Sequence, residues 1–70
     1  MRFWNKELKE KATSRVSKME TDALVGWMDS SLMNFCSQFD EWRFRKGSSD
    51  LVSESLTILN SIWEELDQRS

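Results

Sequence analysis

Beyond Gly47, apolar side chains fall at Leu51, Val52, Leu56, Ile58, Leu59, Ile62, Trp63 and Leu66. At about 100° per residue they occupy an arc of roughly 160°, and the period is not two, so the spacing predicts an amphipathic helix rather than a strand. Glu54, Thr57, Asn60, Ser61, Glu64, Glu65, Asp67 and Gln68 fill the remainder. They predict a solvated polar face.

Upstream, Leu24, Val25, Met28, Leu32, Phe35, Cys36, Phe39 and Trp42 form a second stripe. It is about 120° wide on a helix and implies one long element from 18–22 to 46, on the order of 40 Å in length. Two start signals precede it: Ser17 and Glu20 at the spacing of a capping box, and Thr21-Asp22 a little later. Between the two stripes stands Lys46-Gly47-Ser48-Ser49-Asp50. Gly is favoured just past a helix end, Ser at an N-cap and Asp in a first turn, while Arg43, Arg45 and Lys46 suit the preceding C-terminus. A third segment, 3–16, repeats Trp4, Leu8, Ala12 and Val16 at four-residue intervals, with Met19 continuing the line. The capping box favours a separate helix over an extension of the long one.

The fold class expected is therefore all-α. A long helix, a Gly-Ser turn and a shorter helix make an antiparallel helical hairpin, preceded by a short basic amphipathic N-terminal helix. Residues 1–70 form one small domain, since a chain of this length is below the size at which a single core is comfortably stable.

Charge divides the chain. Residues 1–19 carry six basic groups against Glu7 and Glu10, a net of +4; residues 20–70 carry four basic against ten acidic groups, a net of −6. The formal −2 of the whole thus conceals a basic N-terminal arm and an acidic hairpin. Composition removes several functions. There is no His and one Cys, so the usual zinc set, haem ligation through His, an intrachain disulfide and a Ser-His or Cys-His pair are all excluded. Two Gly and no Pro leave little for phosphate-cradling loops. No metal and no cofactor are expected. The charged N-terminus lacks the apolar run of a secretory signal, and Leu24 to Met28 is far too short to span a bilayer, so a cytoplasmic location is expected.

Particular residues then sort by helical position. Phe39 and Trp42 fall on the stripe expected to be buried, which removes them as stacking platforms for nucleic acid, and Asp40 and Glu41 oppose phosphate. Glu64, Glu65 and Asp67 read as a solvated face rather than a metal or acid–base cluster. Cys36, at the edge of the stripe, reads as a small core residue. On the long helix, Gly26, Ser30, Met33, Ser37 and Phe44 project within a sector of about 60° and offer a second seam for a partner helix. Trp27, off the main stripe, is expected to be exposed and to join it as a partner-binding residue. In the arm, Phe3, Trp4, Lys6, Lys9, Lys11, Arg15 and Lys18 form a candidate contact for an anionic surface; docking of the arm on the acidic body is the simpler use of the same charge.

Arcs of 120–160° are wider than a two-helix hairpin can hide. The expectation is thus a non-enzymatic protein–protein interaction or assembly module, stable as a homo-oligomer or as a subunit of a larger complex. The alternatives are a peripheral binder of anionic membrane or nucleic acid through the basic helix, and a small viral or mobile-element accessory protein that inhibits a host enzyme.

Overall fold

The computed structural model describes residues 6–70. Three helices follow in order: α1 over Lys6–Ser17, α2 over Thr21–Arg45 and α3 over Ser49–Arg69. The all-α hairpin preceded by a short helix is thus the observed fold, with α1 separate from α2.

The α1–α2 break differs from the capping box in detail. Ser17 is the last residue of α1, and its hydroxyl donates back to the Ser14 carbonyl. That hydroxyl is therefore turned into α1 and away from the N-terminus of α2, where Glu20 takes the N-cap position in extended conformation without a side-chain cap. At the second turn, Ser48 caps α3 as expected, its Oγ accepting from the Asp50 N–H at 3.1 Å. The left-handed residue is Lys46 (φ 56°, ψ 41°) rather than Gly47. Gly47 serves a different need. Its N–H donates to the Glu41 carbonyl at 3.0 Å, and a Cβ there would stand 3.2 Å from the Glu41 carbonyl carbon.

α3 is the central element. α2 packs antiparallel along one flank of it and α1 along another, and α1 meets α2 chiefly where Val16 and Leu24 share the core and Arg15 lies over Trp27. Across the helices the molecule measures 23 by 15 Å, a flattened three-helix arrangement with α3 at its centre. The interior lies towards the α1–α2 loop: Val16, Leu24 and Ile62 are buried, with Met19, Trp27, Met28, Ile58 and Leu66 packed against them.

The flank of α3 that receives α1 is the one expected to be solvated. Thr57 and Ser61 are fully buried there, and Glu64, in the same sector of about 60°, forms an ion pair with Lys9 of α1. Burial of these hydroxyls is possible because each is satisfied within its own helix: Thr57 Oγ1 donates to the Ser53 carbonyl at 2.8 Å and Ser61 Oγ to the Thr57 carbonyl at 2.9 Å. Together with the buried Ala12 of α1, such small side chains suit close approach of two helices. Similarly, Ser55 accepts from Asn34 of α2 at 3.0 Å while donating to the Leu51 carbonyl.

One side chain ties the three elements at the loop end. The Arg69 guanidinium pairs with Glu65 at 2.8 Å, and donates to Thr21 Oγ1 and to the Val16 carbonyl at 3.2 Å each. It thus caps the C-terminus of α1, adding a charged donor to a Val16 carbonyl that also accepts from the Met19 N–H at 3.2 Å.

Candidate interaction surface

Because α1 docks on the Ser/Thr flank of α3, it leaves the apolar stripes of the hairpin uncovered on the opposite side. Leu56, Leu59 and Trp63 project within about 60° of one another, some 140° around α3 from the flank that holds α1. On α2, Val25, Leu32 and Cys36 share a narrow sector. It faces away from Trp27, which meets α1 through the Arg15 guanidinium 5.0 Å above its ring. Both sectors therefore open on the same face of the hairpin.

Val25 is 47% exposed, Leu32 42% and Trp63 54%, although all three stand in the stripes expected to be buried. Trp42 and Cys36, also expected inside, are exposed as well. The physical reason is the same for each. A single helical neighbour covers only a narrow seam, and the third helix is spent on polar residues elsewhere. Towards the turn the face deepens into a cleft of about 230 Å³ lined by Phe35, Phe39, Trp42, Val52 and Leu56 with Ser49 and Ser53 at its edge. Phe35, Phe39 and Trp42 stack in succession, with centroids 6.1 and 5.8 Å apart, and Arg43 lies over Phe39 and Phe44.

The other predicted residues fall elsewhere. Gly26, Ser30, Met33, Ser37 and Phe44 lie exposed on the back of α2, with Met33 and Phe44 more than 70% exposed. A Cβ on Gly26 would meet nothing within 4 Å, so nothing in the chain itself requires glycine there. Trp27 does not belong with them: it is half-buried against the core and covered by Arg15, because it points to the α1 side of the layer. In the arm, Lys9 is engaged with Glu64 and Arg15 with Trp27. Lys6, Lys11 and Lys18 are exposed, Lys11 beside Glu7. Phe3 and Trp4 lie outside the described residues. Glu64 and Glu65 are engaged with Lys9 and Arg69 rather than merely solvated. Among the described residues no three acidic or thiol side chains stand together as a metal site, and no helix is long and apolar enough to cross a membrane.

Comparison with family models, with curated proteins and with solved structures gives no match to this chain.

Proposed function

We propose that this protein is a non-enzymatic protein–protein interaction or assembly module, working as a homo-oligomer or as a subunit of a larger complex. The observation that supports this most is the apolar face opposite α1, where two tryptophans and two aliphatic side chains of a 70-residue chain are left about half open to water. Large aromatic side chains on a wide helical face are the material of interface anchors. Among the described residues the buried apolar set is Ala12, Val16, Leu24 and Ile62, small for a domain of this length, so coverage of that face would add to its stability.

The alternative use of the basic arm on an anionic surface gains less support. An interfacial helix needs its apolar side free for the surface. In α1 that side, carrying Ala12 and Val16, is already spent on α3.

The test is the thermal midpoint of the purified chain over a hundredfold range of concentration, together with affinity isolation of the tagged chain from its native source. A midpoint that climbs with concentration, or a stoichiometric protein companion, is expected. A chain whose midpoint is constant and which brings down no protein overturns the reading.

A further inference from the structure

We propose that the occupant of the open apolar face is a second copy of this chain, docked antiparallel about a two-fold axis that passes near Leu32. This rests on the interaction reading above and specifies its partner and its geometry.

Size is the first argument. Two helices side by side present a face of roughly 20 by 30 Å, about 600 Å² in plan. That approaches the ~800 Å² per partner of a standard stable interface. The apolar centre needed for such an interface is present in Leu32, Leu59 and Trp63, with Val25 and Leu56 beside them. An identical chain is at hand wherever this one is made, and pairing two hairpins completes a four-helix arrangement.

Charge is the second argument, and it selects the orientation. At the end of the face near the α1–α2 loop stand Asp22, Asp29 and Asp67, none of which forms an ion pair among the described residues. At the turn end of the same face stands Arg43, held there by Asp40 and by the rings of Phe39 and Phe44, with Lys46 just beyond. Asp22 and Arg43 are nearly equidistant from Leu32, each about 16 Å along the helix, Arg43 within the open sector and Asp22 about 60° round from it at the outer edge of the face. A two-fold at Leu32 therefore brings Asp22 of each copy to Arg43 of the other. A parallel arrangement would instead set the acidic ends against each other, which costs association.

Sedimentation equilibrium of the full chain from about 2 to about 200 µM reads the state directly, with a dimer expected across most of that range. Trp63→Glu and Leu32→Glu are expected to weaken the dimer at least about a hundredfold, and Ser37→Glu, on the back of α2, less than about twofold. Arg43→Asp and Asp22→Arg should each weaken it by about tenfold, and the double variant should restore it, a rescue that loss of folding does not produce. In a Cys36→Ser background, a short bismaleimide should join Asp22→Cys chains to Arg43→Cys chains while joining neither to itself. Self-linking of either variant overturns the antiparallel arrangement. A dimer broken by Ser37→Glu but not by Leu32→Glu overturns the face and leaves the interaction reading standing. A folded monomer throughout overturns the proposal, and the broader reading falls with it only if that monomer also isolates no other protein.

Discussion

At the scale of single residues, the position that most changes the molecule is the pair Thr57 and Ser61. By hydropathy they belong to the wet face of α3, yet both are buried under α1. Their hydroxyls close onto i−4 carbonyls, so the helix hides its own polarity and presents only small volume to the neighbour. It follows that size, not polarity, is what this contact tolerates least. Ser61→Leu should overpack the seam and lower stability by about 1–3 kcal/mol. Urea unfolding followed by circular dichroism measures the loss. Ser61→Ala, which keeps the small volume and removes only a hydroxyl bonded within its own helix, should cost less than about 1 kcal/mol.

Elements are set by their ends. The α1–α2 corner has no side-chain N-cap and relies on Arg69 reaching from the far end of α3 to the Val16 carbonyl and Thr21. Arg69→Ala should therefore cost about 1–2 kcal/mol, and hydrogen exchange should rise chiefly in the last turn of α1 and the first of α2. Arg69→Lys should recover only part of this, since an ammonium lacks the planar fork that serves Glu65, Thr21 and Val16 at once. The α2–α3 turn gives a paired prediction. Lys46 sits at φ 56°, where a side chain is strained, and Gly47 sits where a Cβ would crowd the Glu41 backbone. Lys46→Gly should stabilise by about 0.5–1 kcal/mol, whereas Gly47→Ala should destabilise. Midpoints of chemical denaturation distinguish the two directions. Composition alone suggests the reverse roles, because Gly is the usual left-handed residue past a helix end.

For the whole molecule, the layer is asymmetric. One side of the hairpin carries α1, tied by Lys9–Glu64, Arg15 over Trp27 and Arg69. The other side carries the uncovered parts of both apolar stripes. Among the described residues the basic arm meets the acidic body through the Lys9–Glu64 ion pair, while Lys6, Lys11 and Lys18 stay exposed. It is apolar surplus, not net charge, that distinguishes the two faces. Dimerisation through that face would convert half-exposed Trp63 and Leu32 into core and leave Met33 and Phe44 where they are, in water on the back of α2.

By itself the sequence determined the three helices, the position of both breaks and the excess of apolar width over what a hairpin can bury. These are local properties: the 3.6-residue period, the Ser48 cap and the charges near helix ends act within a few residues along the chain. Tertiary structure decided which part of each wide stripe would be covered. That choice depends on where α1 docks, and it docks on the flank of α3 that carries the buried, self-satisfied Thr57 and Ser61. For this reason Trp27 went inside, Trp42 and Cys36 stayed outside, and the contact surface lies on the face of Val25, Leu32 and Trp63. No pattern read along one helix contains that information, because the competition is between neighbours brought together only by the fold.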